Sequence, residues 1–385
     1  MRLYFDYAAS TPVDPRVFEA MRPYFSEKFG NPGSLHTFGQ EATAAVDKSR
    51  EALAKFVGTD FRGIIFTSSA TEANNLAIRG AIGASHVRNP RIIVSAIEHE
   101  SVLEVAKDLG ENGVEIVRLS VNREGLVDLR KLKETLNDRT VLVSIVCVNN
   151  EIGTVEPIVE ISRIISGFRG SKPYPLFHSD AAQAFNFFGC KVGELGVDLI
   201  TLSAQKIYGP KGAGALCFRP TESNAPNLKP IIFGGGQEFG LRSGTENVAG
   251  IVGFTKAAEL AVDIREAEFR RILSLKKRFW EGLKSLHKGV EINGPAVDSP
   301  HVSPHILNVY FPGHESEELL AKFDLKGVAA SVGSACSAKL AKPSYVIEAL
   351  GYGKERARGS IRFSLGRGTT EGQIDEALDI IKISL

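Results

Sequence analysis

The sequence predicts an α/β fold, a mainly parallel sheet covered by helices on both faces, followed by a smaller α+β unit. Three observations carry that reading. Between residues 64 and 218, short apolar runs alternate with segments of helical period, the pattern of strands joined by crossover helices. Such an alternation builds a mainly parallel sheet buried on both sides. Beyond residue 246 the rhythm breaks into one long helical segment and several shorter elements. We therefore divide the chain into a large domain at 16–255 and a small one formed by 1–15 together with 256–385.

The elements follow in order. Residues 1–37 hold little regular pattern beyond a short amphipathic stretch from Arg16 to Glu27, and F-G-N-P-G-S-L-H-T-F-G is of the kind that lines clefts or surfaces. Helical spacing runs from Gln40 to Phe56 and stops at Gly58. Strands are expected at Ile64–Thr67, Arg91–Ser95, Val114–Arg118, Thr140–Val148, Pro175–His178, Leu199–Ser203 and Gly214–Phe218. Helices are expected at Thr71–Ile82, Ser101–Glu111, Leu129–Leu136 and Ile158–Phe168. A long helix spans about Asn247 to His287. After it come strand-like H-I-L-N-V-Y-F, helices at Glu315–Phe323 and Ser344–Leu350, strand-like S-I-R-F-S-L and a closing amphipathic helix.

Composition narrows the function. The chain has 385 residues, 43% of them hydrophobic, enough for a large core. Basic residues number 46 and acidic ones 45, without a like-charge block, which argues against a nucleic-acid groove or an anionic membrane surface as partner. No apolar window reaches the length of a membrane span, and M-R-L-Y-F-D-Y-A-A-S has no signal-peptide pattern. The expected location is the cytoplasm. The four cysteines, at 147, 190, 217 and 336, show no C-x-x-C pairing, so neither a disulfide framework nor a metal site is expected. Cys147 and Cys217 fall in apolar runs and read as inert core thiols.

In such sheets ligands bind beyond the carboxyl ends of the strands, so each strand end is a candidate. Lys206 stands in L-I-T-L-S-A-Q-K-I-Y-G-P-K-G, just past an apolar run. It is either a solvated loop lysine or, half-buried, a nucleophile able to form a Schiff base with an aldehyde. Ser69 and Thr71, in T-S-S-A-T-E, start a helix and offer either a plain cap or a phosphate site. His99 suits capping, or stacking on a planar cofactor with proton transfer; Asn150 suits an Asx-turn or a cofactor oxygen. Asp180 follows a buried run and is either a cap or a carboxylate in need of a cation, such as a protonated pyridine nitrogen. Gln183 follows within reach of a phenolic oxygen. A pyridoxal phosphate site requires this same set, each member after a strand of one sheet.

The segments D-Y-A-A-S-T-P, F-G-N-P-G-S, T-S-S-A-T-E-A-N-N, E-H-E-S-V, V-N-N-E-I-G-T, H-S-D-A-A-Q, Q-K-I-Y-G-P-K-G, G-G-G-Q-E-F-G-L-R-S-G-T-E-N, G-S-A-C-S and S-I-R-F-S-L-G-R closely resemble those of the cysteine desulfurases, fold-type I pyridoxal 5′-phosphate enzymes. The resemblance runs essentially from end to end. It implies that Lys206 binds the cofactor, Asp180 pairs with its ring nitrogen, His99 stacks on the ring, and Gln183 and Asn150 bond its phenolic oxygen side. Ala70, Thr71, Ser203 and Gln205 would hold the phosphate, which Thr245 would reach from the partner subunit of a homodimer. Arg362, assisted by Asn31, would clamp the carboxylate of L-cysteine. The thiolate of Cys336 would take the sulfur as a persulfide, for an iron–sulfur scaffold or another sulfur-acceptor protein. Two positions depart from the family pattern: Gln205 stands where histidine is usual and carries no charge, and Phe239 stands where arginine is usual. A selenocysteine lyase, an aminotransferase or a non-catalytic sulfur carrier would share much of this set.

Overall fold

The computed structural model describes residues 2–219, 227–333 and 343–385. After a short β1 (Leu3–Tyr4) come the seven strands of the main sheet: β2 (Ile64–Thr67), β3 (Arg91–Ser95), β4 (Glu115–Leu119), β5 (Thr140–Ser144), β6 (Leu176–Asp180), β7 (Leu199–Ser203) and β8 (Gly214–Phe218). Their order is β2-β8-β7-β6-β5-β3-β4. Neighbours from β7 to β4 pair in parallel, and β8 is antiparallel to both β2 and β7. Two reversals restore direction, so β2 to β7 all end on the same edge and β8 opposes them.

Six of these strands are almost wholly buried because each face meets a core, while the edge strand β4, E-I-V-R-L, stays half-exposed. Ile93, Val143, Phe177 and Ile200 point into one cluster, with Leu53 of helix Thr37–Val57 and Phe254 of helix Val248–Leu286. Ile92, Val94, Leu142 and Leu199 point into the other, with Leu76 of helix Ala70–Ala84 and Leu103 of helix Glu100–Glu111. Alternate residues of one strand thus serve opposite faces. Helix ends follow local chemistry: Gly58 closes its helix at φ 66, and the stretch from Arg16 is split at Pro23 into Pro15–Met21 and Pro23–Ser26.

One strand is shorter than its apolar run suggests. The run continues to Val148, but β5 ends at Ser144. The Val146 N–H donates instead to Glu98 Oε1 at 2.8 Å, while Ile145 and Cys147 still bond to the carbonyls of His178 and Asp180. A buried carboxyl group between the strand ends takes the hydrogen bond that would have extended the ladder.

A second core lies beside the first. β9 (Glu291–Asn293) and β10 (Ile306–Tyr310) pair antiparallel; after β11 (Val328–Ala329), which pairs in parallel with β1, comes β12 (Ser360–Ser364), on the other side of β10. Leu3, Phe5, Phe311, Phe323 and Phe363 pack here. The helix Val248–Leu286, 39 residues long, belongs to both cores: residues up to Ala261 pack in the first, and Ile272, Leu275, Phe279 and Leu283 in the second. From β1 the chain crosses back to the main sheet, where Thr11 N–H donates to the Gln205 carbonyl at 3.1 Å. That crossing lays Ala8 and Ala9 over the ends of β6 and β7. Among the described residues no helix is long and apolar enough to cross a membrane.

Candidate active site

Where the strands end, a cavity of about 200 Å³ opens. Ala70 and Thr71 line it after β2, His99 after β3, Asn150 after β5, Asp180 and Gln183 after β6, and Ser203, Gln205 and Lys206 after β7. Arg362 of β12 closes one side, and Ala8 and Ala9 another. Ten residues expected from the sequence therefore meet in one place. Two others do not line it: Asn31 is exposed, its Oδ1 accepting from Gly33 N–H at 2.9 Å, and Thr245 is exposed beside a separate hollow shared with Arg242 and Glu238. Cys336 lies outside the described residues.

Lys206 ends a single 3₁₀ turn, Ala204–Lys206. Its Nζ donates to the carbonyls of Ala8 at 2.7 Å and Ala9 at 2.6 Å. The backbone past it is strained: Tyr208 sits at φ 66, a region disfavoured for a bulky side chain. Tyr208 is over-determined there, since its N–H donates to Thr11 Oγ1 at 2.8 Å and its hydroxyl accepts from Arg367 N–H at 2.6 Å.

Asp180 is the last residue of β6 and only 5% exposed. Oδ1 accepts from Ala182 N–H at 2.9 Å, closing a turn where a helix cap was the alternative, since 182–187 form turns and no helix, while Oδ2 accepts from Asn74 Nδ2 at 2.7 Å. The same amide nitrogen donates to Ser101 Oγ at 2.8 Å. Ser101 Oγ lies 2.8 Å from His99 Nδ1, and Ser101 N–H donates to that nitrogen at 3.1 Å. Nδ1 is thus an acceptor, and the neutral ring carries its proton on Nε2. Burial holds His99 below the ordinary imidazole range; Asp180 opposes that shift and Lys206 adds to it.

Arg362 is 1% exposed. It donates through Nη2 to Asp6 Oδ1 at 2.8 Å and through Nη1 to the Asn150 carbonyl at 2.9 Å. Its Nε has no partner among the described residues. A buried guanidinium with a donor to spare suits a carboxylate ligand.

The class-V aminotransferase family model matches residues 3–377. The chain belongs to the class-V aminotransferase family. This class-V enzyme is 44% identical over 381 residues to "Cysteine desulfurase IscS" of Dictyoglomus turgidum, covering 99% of the chain and 93% of the relative. It is 45% identical over 379 residues to "Cysteine desulfurase, mitosomal" of Trachipleistophora hominis, covering 97% and 84%. Among solved structures, a "NIFS-LIKE PROTEIN" superposes with TM-score 0.91 at 36% identity, over 100% of the chain and 99% of that structure. "SspA in complex with cysteine" superposes with TM-score 0.80 at 33% identity, over 95% and 99%. Enzymes of this family depend on pyridoxal 5′-phosphate.

The cavity of the class-V enzyme fits that cofactor. Asp180, nearly buried, forms no ion pair among the described residues, and a carboxylate so placed suits a cationic ring nitrogen. The helix Ala70–Ala84 presents its first turn to the same space, where backbone N–H groups have no helical acceptor and suit a phosphate. Ser69 caps this helix by accepting from Glu72 N–H at 3.2 Å, so cap and phosphate site coexist.

Sequence reasoning did not single out Asp6, the Ala8 and Ala9 carbonyls, Asn74 or Ser101. All lie within quoted motifs, but a backbone acceptor leaves no residue signature, and Asn74 reads as one more polar position of a helix. Phe239 has a clear setting. It packs over the buried Arg50 guanidinium, 5.0 Å from the ring centroid, and Arg50 makes a paired contact with Glu238. Cys147, Cys190 and Cys217 are buried; burial raises each thiol, Cys190 to about 12, which leaves them unreactive.

Proposed function

We infer that this chain is a cysteine desulfurase: with pyridoxal 5′-phosphate it takes sulfur from L-cysteine, carries it as a persulfide on Cys336 and releases L-alanine. One observation carries the reading. Lys206 and Asp180 line one cavity at the carboxyl edge of one sheet, in a chain 44% identical to a cysteine desulfurase. The superposition on SspA in complex with cysteine supports the substrate.

Lys206 holds the cofactor aldehyde covalently. Asp180 keeps a proton on the ring nitrogen, His99 packs on the ring, and Gln183 and Asn150 bond at the phenolic oxygen side. Ala70 and Thr71, with Ser203 and Gln205, hold the phosphate. The bound cofactor supplies an electron sink for charge developing on the substrate. Arg362 grips the substrate carboxylate. Cys336, as thiolate, attacks the substrate sulfur: the new S–S bond forms as the C–S bond breaks, the electron pair stays on the β-carbon, and a proton completes the methyl group of alanine.

The assembly is a homodimer, in which Thr245 reaches the phosphate of the partner subunit's cavity. Exposed apolar side chains support this: Phe25 is 63% exposed, Phe29 67% and Leu35 92%, with Phe29 paired to the half-exposed Phe38, and a second copy would cover them. The large domain, 16–255, carries the cofactor, and the small one, 1–15 with 256–385, contains Cys336. The persulfide serves an iron–sulfur scaffold or another thiolation acceptor, in the cytoplasm.

The test is mass spectrometry of the purified holoenzyme after incubation with L-cysteine, with alanine measured in parallel. Borohydride should fix the chromophore at Lys206, the sulfur adduct should map to Cys336, and Cys336→Ser should abolish both adduct and alanine. Turnover that survives Cys336→Ser would mean a transaminase-like activity instead.

A further inference from the structure

Behind Gln183 runs a polar chain, His305 and Ser303, that the roles above do not use. Gln183 lines the cavity, and its Nε2 donates to the Ala8 carbonyl at 2.8 Å. A carbonyl oxygen only accepts, so this contact decides which end of the amide is nitrogen. The Oε1 end therefore meets His305 Nε2, 3.2 Å away, and needs a donor there. His305 then carries its proton on Nε2, and Nδ1 accepts from Ser303 Oγ at 2.6 Å. Ser303 is itself held, since Lys276 Nζ donates to its carbonyl at 2.9 Å. The imidazole is stacked on Phe187, centroids 4.6 Å apart, and is 5% exposed. Burial, then the charges of Lys276, Arg362 and Lys206, pushes it down to about 3, so the ring stays neutral.

We propose that His305 is a positioning residue that, backed by Ser303, locks the Gln183 amide so that it presents an N–H donor rather than an acceptor to the ligand in the cavity. This rests on the reading of the cavity as a pyridoxal phosphate site, where the second hydrogen of Nε2 is the donor left for the phenolic oxygen. An imidazole on this side cannot be replaced by an apolar ring without stranding Oε1.

Two measurements on the full chain test it. The ¹⁵N shifts of His305 in histidine-labelled protein should report the neutral Nε2–H tautomer, with and without cofactor. An Nδ1–H tautomer or an imidazolium at neutral pH overturns the lock whatever the cavity binds. The second is the dissociation constant of pyridoxal phosphate for the parent, His305→Phe, His305→Asn, Gln183→Leu and the His305→Phe/Gln183→Leu double variant. His305→Phe should weaken binding by about tenfold, His305→Asn should restore part of it, and the double variant should bind no worse than Gln183→Leu. Additive losses, or a change below about twofold for His305→Phe, overturn the proposal. A parent that binds no pyridoxal phosphate while His305 shows the Nε2–H tautomer sinks the functional reading and leaves the lock standing.

Discussion

Replacing Arg50 by methionine should destabilise the protein strongly, and the structure sets the scale. Arg50 and Glu238 are joined by two hydrogen bonds, Nη1 to Oε2 at 2.8 Å and Nη2 to Oε1 at 2.7 Å. Their side chains are 5% and 2% exposed. Glu238 Oε2 also accepts from Phe66 N–H at 2.8 Å, so the carboxylate pins the end of β2. The pair further holds two consecutive residues in left-handed backbone, Glu238 at φ 49 and Phe239 at φ 57. Arg50→Met leaves the carboxylate buried without its cation, a loss of about 3–5 kcal/mol. Unfolding entropy of about 2.1 cal/mol/K per residue, over 385 residues, gives roughly 0.8 kcal/mol/K. Tm should therefore fall by about 4–6 °C. Scanning calorimetry at fixed protein and cofactor concentration reads the shift. Arg50→Met/Glu238→Gln, which removes the stranded charge, should recover more than half of it. A single-variant shift of about 1 °C or less, or a double variant that falls as far as the single one, would refute the account of a buried charge that depends on its partner.

Three further outcomes follow from the same geometry. Gly214→Ala would set a Cβ 2.6 Å from the Ser69 carbonyl carbon and 3.0 Å from Ala70 N; backbone cannot give way, so pyridoxal phosphate should dissociate more readily, as equilibrium dialysis would show, at an overpacking cost of about 1–3 kcal/mol. Asn74→Leu removes one donor from both Asp180 and Ser101; a hydrogen bond to a charged group contributes about 1.5–3 kcal/mol, so cofactor affinity should drop by about tenfold or more. Glu98 is raised from 4.5 to about 8 by burial, so it keeps its proton in the fold where the unfolded chain has lost it. Its contribution is full below pH 4.5 and fades as pH rises towards 8, at about 1.4 kcal/mol per pH unit. Urea midpoints of Glu98→Gln relative to the parent should accordingly improve from the lower to the upper end of that window, and a constant difference would contradict it.

How much of this was legible in the sequence depends on what kind of group does the work. β2, β3, β7 and β8 begin and end where their apolar runs do, because every residue in them except Arg91 is buried. The residues after β2, β3, β5, β6 and β7 were legible as a site for the same reason: parallel strands must release their chains at one edge. The pairing of β1 with β11, two residues each, is too short to carry a period. Asp6 gave no signal, because its meaning depends on Arg362, which topology and not spacing brings to it. His305 sits at the head of an apolar strand and looks like a packing residue until the orientation of Gln183 is known.

The strap formed by residues 3–11 has a consequence for how the enzyme comes to life. Ala8 and Ala9, whose carbonyls accept from Lys206 Nζ, leave the ribosome before the strands they meet: Ala8 is tied to Ser364, 356 positions later, and Leu3 to Gly327. Synthesis must deliver β11 and β12 before that strap can settle, so cofactor capture is a late event, and a nascent chain arrested in its long helix would hold the main sheet without the pocket's floor.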